Sequence, residues 1–250
     1  PDQEMEQPMS INTILFDLDN TLVRCMIYYT FTRKNIYKIL SKDSGYSVDV
    51  IEDMFNEHET ERTKKKDGFT KDAFLDSVNG VRVKIYAKLK EEDPEKANAF
   101  YESDAPLKLI QFAADVYDAP YTLYADVVDT LKLLKSKGYS LYCVTKGDFY
   151  GQSKKASKMP PLFDGLFVLP HKSKYTWNGV IETSQLDRFS TVVVGDSVKD
   201  DINPALEVGL KAIRVNRENT IWVGDPEMDP KQVVPEIKNF SELLEVIESL

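Results

Sequence analysis

The chain contains the segment Ile11-Asn12-Thr13-Ile14-Leu15-Phe16. It continues as Asp17-Leu18-Asp19-Asn20-Thr21, which carries two closely spaced aspartates. Its near-continuous apolar run is typical of a strand that is buried on both faces of a parallel sheet. Open α/β proteins bind their ligands where such strands end. Like charges two residues apart repel each other unless a cation or a shared proton relieves them. The segment therefore predicts a metal site or a carboxyl group that acts as an acid, with a plain Asx-rich turn as the alternative.

The composition excludes several classes of protein. The 250 residues are 42% hydrophobic, which is enough to form a core, and the net charge is −9. An acidic chain is a poor ligand for nucleic acid or for anionic membranes, so we expect neither as a partner. A phosphorylated substrate stays compatible with this charge, because a bound divalent cation reverses the field close to it.

Cysteine and histidine usage narrows the chemistry further. Cys25 and Cys143 are far apart in the sequence and are predicted to be buried free thiols of a cytoplasmic protein. His58 and His171 are too few for a histidine zinc site or a Ser-His-Asp triad, and His171 is predicted to lie in a loop.

No run of apolar residues in the sequence approaches the length of about 18 that a membrane span needs. The first eight residues are polar, do not resemble a signal peptide and are left out of the fold prediction.

The pattern after Thr21 divides the chain. From about residue 28 to residue 117 the apolar residues follow helical spacing, and Phe31, Ile36, Ile39 and Leu40 are predicted to share one helix face. Strands and helices then alternate, which predicts a parallel sheet with helices on both faces. We therefore expect an α/β core of residues 9–24 and 118–250, a Rossmann-like sheet, and an inserted all-helical domain of residues 25–117.

Polar residues follow each later strand of the predicted sheet. Thr145-Lys146-Gly147-Asp148 ends the second strand, His171-Lys172-Ser173-Lys174 follows the third, and Gly195-Asp196-Ser197-Val198-Lys199-Asp200-Asp201 ends the fourth. Because parallel strands end at one edge of a sheet, these groups are predicted to lie beside Asp17 and Asp19.

These motifs, in this order and spacing, resemble the four motifs of the haloacid dehalogenase superfamily, and the helical insert resembles that superfamily's cap domain. The resemblance implies an α/β phosphatase that depends on Mg²⁺ and acts on a small phosphorylated metabolite. It makes Asp17 the nucleophile, which forms an aspartyl-phosphate. Asp19 first protonates the leaving oxygen and then activates water. The implied Mg²⁺ ligands are Asp17, the backbone carbonyl of Asp19, and Asp196.

The resemblance also implies how the phosphoryl group is bound. Thr145 and Lys172 are its catalytic hydrogen-bond and charge partners, and Thr145, Lys146, Gly147 and Lys172 are the predicted substrate-binding residues. Two assignments stay open at this point. The motif lysine is Lys172 by preference over Lys174, and either Asp200 or Asp201 supports the metal, with Asp201 closer to the family spacing.

Asp19 separates the branches of the superfamily. Its dehalogenases lack an aspartate two positions after the nucleophile, because no leaving oxygen needs a proton. The presence of Asp19 therefore favours a phosphatase. A phosphomutase acting on sugar phosphates would share these residues, and a catalytically silent binding module is the non-enzymatic alternative. The sequence leaves the oligomeric state and the physiological substrate undetermined.

Overall fold

A computed structural model describes residues 10–64, 71–217, 225–232 and 234–250 of the chain. The chain folds into two compact units. The first contains the chain up to Cys25 and from Tyr121 onward, and the second is Met26–Pro120. Within the described ranges no helix is both long enough and apolar enough to cross a membrane.

The first unit contains the strands. Within the described ranges they are, in chain order, β1 (Thr13–Phe16), β2 (Val23–Arg24), β3 (Thr122–Leu123), β4 (Ser140–Lys146), β5 (Gly165–Leu169), β6 (Thr191–Gly195), β7 (Lys211–Val215) and β8 (Glu236–Ile237). Six of them form one sheet in the order β5-β4-β1-β6-β7-β8, and each pair in it is parallel. The short β2 and β3 pair with each other in antiparallel fashion.

The first five helices along the chain belong to the second unit, and the later helices belong to the first unit. They are α1 (Met26–Ser44), α2 (Val48–Lys64), α3 (Lys71–Glu92), α4 (Pro94–Glu102), α5 (Ala105–Asp115), α6 (Val127–Ser136), α7 (Phe149–Ala156), α8 (Lys174–Thr183), α9 (Asn203–Glu207) and α10 (Leu243–Glu248). Short 3-10 turns cover Val116–Asp118 and Phe240–Glu242, and a π-helical turn covers Val198–Ile202.

β1 is buried over its whole length, as its apolar run predicts. Side chains alternate between the two faces of a strand. Leu15 packs on one face against Trp177 of α8 and Ala205 of α9. Phe16 lies on the opposite face, where its ring centroid is 5.7 Å from that of Phe240. The predicted parallel α/β sheet with helices on both faces is confirmed, and β1 lies in its interior between β4 and β6.

The second unit is a bundle of helices α1 to α5 whose core is rich in aromatic rings. The ring centroids of Phe55 and Phe74 lie 6.1 Å apart, and those of Tyr29 and Phe74 lie 6.3 Å apart. The predicted apolar face of α1 was partly wrong, because Phe31 is 65% exposed whereas Ile36 is buried. Five residues of an α-helix correspond to a rotation of about 140°, so Phe31 and Ile36 point to different sides.

Both thiols are free and buried, as predicted. Burial raises the pKa of the Cys143 thiol, and it raises that of the Cys25 thiol, which also lies near carboxylates. Both thiols are therefore protonated at neutral pH. A 3-10 turn at Phe240–Glu242 precedes α10 at the end of the described chain. The side chain of Glu242 accepts a hydrogen bond from the backbone N–H of Asn239, which caps this turn.

Candidate active site

The turn after β1 sends its two aspartates in different directions. The backbone N–H of Asp17 donates to the carbonyl of Val194 at 2.9 Å, so Asp17 stays in register with β6. Asn20 then adopts a left-handed conformation with φ of 62°, which asparagine tolerates better than most residues. Its N–H donates to the Val23 carbonyl at 2.7 Å and closes the turn. Asp17 and Asp19 consequently reach different partners.

Asp17, Asp196 and Asp201 form a carboxylate triad. One oxygen from each of these three buried side chains lies within 4.8 Å of the other two. Asp196 directly follows β6, and Asp201 lies in the π-helical turn behind it. Gly195 makes the approach of Asp201 possible, because a Cβ atom there would lie 2.4 Å from the Asp201 Cγ. The backbone N–H of Ser197 donates to Oδ2 of Asp201 at 3.1 Å and helps to fix it.

Lys172 lies between two members of this triad. Its Nζ is 2.5 Å from Oδ1 of Asp17 and 2.5 Å from Oδ1 of Asp201, and its side chain is almost fully buried. Burial acts to lower the pKa of Lys172, but the two carboxylates outweigh it and the pKa is raised. Burial raises the pKa of Asp17 against the opposing effect of Lys172, and it raises that of Asp201 to about 7. The ammonium group is therefore charged and holds both carboxylates.

The geometry separates the residues that the sequence left as alternatives. The structure places Lys172 at the triad, whereas the Lys174 ammonium lies 5.1 Å from the ring centroid of Tyr175 at the start of α8. Asp201 belongs to the triad, whereas the carboxylate of Asp200 pairs with Lys146. Lys172 and Asp201 are thus the members of each pair that lie next to Asp17.

Asp19 does not join the triad through its side chain. The Nζ of Lys155 lies 2.9 Å from both of its carboxylate oxygens, and the Nε2 of Gln152 lies 3.0 Å from Oδ2. Burial acts to lower the pKa of Lys155, but Asp19 outweighs it and the pKa is raised. Asp17 and Asp19 therefore have separate cationic partners although they are two residues apart.

The end of β4 brings the predicted phosphoryl-binding residues to the same edge of the sheet. The hydroxyl of Thr145 is buried and accepts a hydrogen bond from Gln152 Nε2 at 2.8 Å. Lys146 is committed to its ion pair with Asp200, and Gly147 adopts φ of +146°, which favours glycine. The N–H of Gly147 donates to the Leu169 carbonyl at 3.0 Å. That N–H is thus already used within the sheet.

The donor set fits a divalent cation. Three carboxylates within reach of a single point are the oxygen ligands that Mg²⁺ prefers. The described site residues comprise five carboxylates and three ammonium groups, so two negative charges are in excess when all are ionised. The carboxylates are those of Asp17, Asp19, Asp196, Asp200 and Asp201, and the ammonium groups are those of Lys146, Lys155 and Lys172. One Mg²⁺ ion would neutralise this excess.

Sequence reasoning missed the contacts of Gln152, Lys155 and Asp225. The carboxylate of Asp225 accepts from the Ser197 hydroxyl at 3.0 Å and from the N–H groups of Val198 and Lys199. It thereby fixes the loop that carries Asp196, although it lies 28 residues after Ser197 in the chain. Nothing in its local sequence indicates this. Gln152 and Lys155 do carry a signal, because their spacing of three residues places two long polar side chains on one helix face.

Comparison with known proteins identifies the family. The chain is 24% identical over 249 residues to the glyceraldehyde 3-phosphate phosphatase of Methanocaldococcus jannaschii, and the alignment covers 96% of this chain and 98% of that protein.

The fold is similar to a haloacid dehalogenase-like hydrolase from Xanthomonas campestris, with a TM-score of 0.69, 18% identity and coverage of 96% of this chain and 97% of that one. It is also similar to a hydrolase of the same superfamily from Bacillus subtilis, solved bound to magnesium, with a TM-score of 0.60, 24% identity and coverage of 95% and 99%. Phosphatases and dehalogenases both occur among the solved structures of similar fold. A family model for haloacid dehalogenase-like hydrolases matches residues 11–229, so the chain belongs to this family.

Proposed function

We propose that this protein is a Mg²⁺-dependent phosphatase that hydrolyses a small phosphorylated metabolite through an aspartyl-phosphate. The observation that carries this proposal is the separation of Asp17 and Asp19 into two environments, one at the carboxylate triad and one at Lys155. A two-step phosphoryl transfer needs two carboxylates with different tasks, a nucleophile and a proton carrier. The phosphatase named among its relatives supports the same reaction class.

In the first step Asp17 attacks phosphorus. An oxygen of Asp17 forms the new bond to phosphorus, the bond from phosphorus to the leaving oxygen breaks, and Asp19, which must enter this step protonated, gives its proton to that oxygen. Lys172 favours the ionised form of Asp17 and fixes its direction, since its ammonium group donates to Oδ1 at 2.5 Å. Thr145 would donate its hydroxyl proton to a phosphoryl oxygen, since its own oxygen already accepts from Gln152.

In the second step water hydrolyses the aspartyl-phosphate. The water oxygen bonds to phosphorus, the bond between phosphorus and Asp17 breaks, and Asp19 accepts the proton of the water. Asp17, Asp196 and Asp201 would hold the Mg²⁺ ion, together with the Asp19 carbonyl that the family resemblance implies. When bound, the ion would neutralise charge on the phosphoryl oxygens. The helical unit Met26–Pro120 is the proposed cap domain.

Phosphate release from a panel of phosphate esters in the presence of Mg²⁺ tests the proposal. The panel begins with glyceraldehyde 3-phosphate, which the relative suggests, and includes other sugar and alkyl phosphates. We expect turnover that EDTA abolishes and Mg²⁺ restores. Asp17→Asn should lower turnover by about four orders of magnitude or more, because the nucleophile is lost. Asp129→Asn, at an exposed aspartate on α6, is the matched control and should leave turnover unchanged.

Three outcomes would contradict the proposal. Release of halide from 2-haloacids without phosphate release would indicate a dehalogenase. Phosphate exchange between bisphosphate and monophosphate sugars that is faster than hydrolysis would indicate a phosphomutase. Mg²⁺ binding without turnover on any ester would indicate a binding module.

A further inference from the structure

Lys155 is a buried cation that the family motifs do not explain. Its residue is 5% exposed, and a buried ammonium group is costly unless it is paired. Both carboxylate oxygens of Asp19 lie 2.9 Å from its Nζ, and the ring centroid of Tyr121 lies 4.9 Å from the same atom. A cation so placed is directed at Asp19 and cannot serve a surface role.

Gln152 joins Asp19 to Thr145. Its Nε2 lies 3.0 Å from Oδ2 of Asp19, 2.8 Å from Oγ1 of Thr145 and 2.6 Å from the Lys146 carbonyl. An amide nitrogen carries only two protons, so these three acceptors share two donors. The residue is 4% exposed, so its amide is largely shielded from bulk solvent. Gln152 therefore links the position of Asp19 to that of Thr145.

α7 makes this arrangement rigid. Asp148 caps the helix, since its side chain accepts from the Gly151 N–H at 2.7 Å. Gln152 and Lys155 are three residues apart and lie on one face of the helix. Gly147 lies just before this helix. A Cβ atom added to it would lie 3.0 Å from Cγ of Gln152, so a larger residue would displace the Gln152 side chain. The polar face of α7 is thus built against Asp19.

We propose that Lys155 and Gln152 are positioning residues that hold the Asp19 carboxylate for proton transfer, an inference that rests on the proposed phosphatase function. Within the described part of the chain, Oδ2 of Asp19 accepts from both residues, whereas Oδ1 accepts from Lys155 alone. Because Oδ1 has one donor fewer than Oδ2, it is the oxygen that this proposal assigns to carry the proton to the leaving group and later to take one from water. Lys155 contacts Asp19, and Gln152 contacts both Asp19 and Thr145, so the two residues act on the reaction through these side chains.

Two phosphate esters separate positioning of Asp19 from a general structural role. An alkyl phosphate needs a proton on its leaving oxygen, whereas p-nitrophenyl phosphate releases nitrophenolate without one. In Lys155→Met we expect kcat/KM for the alkyl ester to fall about 100-fold, because a misplaced proton carrier slows the first step. With p-nitrophenyl phosphate the first step should stay fast and the second should become slow. The expected signature is a burst of about one nitrophenolate per active site.

Gln152→Leu and Lys158→Met complete the experiment. Gln152→Leu removes the amide donors without removing a charge and should give the same burst with a smaller loss for the alkyl ester. Lys158→Met, at an exposed lysine just after α7, should match the wild type on both esters. Thermal unfolding of each variant shows whether it is folded, and Gln152→Leu carries the comparison if Lys155→Met is not.

The two proposals fail in different ways. Suppose that the wild type is active and that the folded variants show no burst. If their kcat/KM then falls equally for both esters, or for neither, the positioning proposal is wrong and the phosphatase proposal stands. If both variants lose their cooperative unfolding transition, the two residues are structural and the positioning proposal is also wrong. If the wild type releases no phosphate from any ester, the proposed function is wrong and the inference falls with it.

Discussion

Lys172 is the residue on which the charge of the site depends most directly. It is bonded to Asp17 and to Asp201, and all three side chains are buried. Removing one partner of a buried ion pair leaves the remaining charge uncompensated. Lys172→Met should therefore lower kcat/KM on any accepted phosphate ester by about 1,000-fold, through the loss of orientation and charge stabilisation. Steady-state phosphate release measures this.

Lys174 is the matched control for that substitution. It lies two residues later, has the same side chain, and contacts the exposed ring of Tyr175 instead of a carboxylate. Lys174→Met should change kcat/KM by less than about twofold, as is usual for surface substitutions. If Lys174→Met is the more damaging of the two, the assignment of Lys172 to the nucleophile is wrong.

Gly195 affects the carboxylate triad because its lack of a side chain leaves room for Asp201. Its missing Cβ lies 2.4 Å from Asp201 Cγ, so Gly195→Ala must displace Asp201. Disturbing a residue that orients a metal site commonly weakens metal binding by about 10- to 100-fold. We expect a loss of this size in Mg²⁺ affinity, measured by calorimetry on the protein without substrate. Unchanged affinity would show that Asp201 is not a ligand.

Gly179 provides the comparison for this alanine substitution. It lies inside α8, and an added Cβ would meet nothing within 4 Å. Gly179→Ala should leave Mg²⁺ affinity unchanged and raise the free energy of unfolding by about 0.5–1 kcal/mol, because alanine has the higher helix propensity. Urea unfolding measures the second effect.

At the scale of single elements, the sequence predicts best where one local signal decides the outcome. The run before Asp17 predicts a doubly buried strand, and β1 is that strand. Asp93-Pro94 predicts a helix start, and Asp93 does cap α4 by accepting from the Lys96 N–H at 3.1 Å. Two-residue strands such as β2 and β3 are too short for any periodicity, and the sequence could not reveal them.

α7 shows why some contacts of the site could not be predicted from the sequence. The resemblance to the family motifs implies Thr145, Lys146 and Gly147, at the end of β4 and directly after it, as substrate-binding residues. The structure adds that Lys146 is engaged by Asp200 and that Asp19 meets Lys155 across more than 130 residues of sequence. Pairings of this kind depend on tertiary packing and leave no local pattern. Which face of α7 meets Asp19 is likewise set by that packing.

At the scale of the whole molecule, the α/β unit is assembled from two stretches of chain that the helical unit separates. Arg217 ties distant segments of this unit together. Its guanidinium donates to both carboxylate oxygens of Asp126 at 3.0 Å and to the Thr21 carbonyl at 3.3 Å, and it lies 3.8 Å from the ring centroid of Tyr124. Asp126 also accepts from the Phe240 N–H at 2.9 Å. The turn after β1, the start of α6 and the C-terminal turn thereby share one ion pair.

The stability contributed by this ion pair should depend on pH in a direction that the contacts fix. Burial acts to raise the pKa of Asp126, but Arg217 and the Phe240 N–H outweigh it, and the pKa is lowered. A carboxyl whose pKa is lower in the folded state stabilises the fold above its unfolded-state pKa of about 3.9. That contribution disappears as the pH falls through the lower, folded-state value.

Asp126→Asn should therefore lower the free energy of unfolding by about 2 kcal/mol at pH 7, the usual size for hydrogen bonds to a charged group, discounted for partial exposure. The difference from the wild type should shrink as the pH falls below about 3.9, because the wild-type carboxyl then loses its charge as well. Urea unfolding at neutral and acidic pH measures both values. Asp129→Asn, at an exposed position on the helix that Asp126 directly precedes, should show no such pH-dependent difference. A difference for Asp126→Asn that stays constant, or grows, toward acidic pH would show that the charge of Asp126 does not stabilise the junction of these segments.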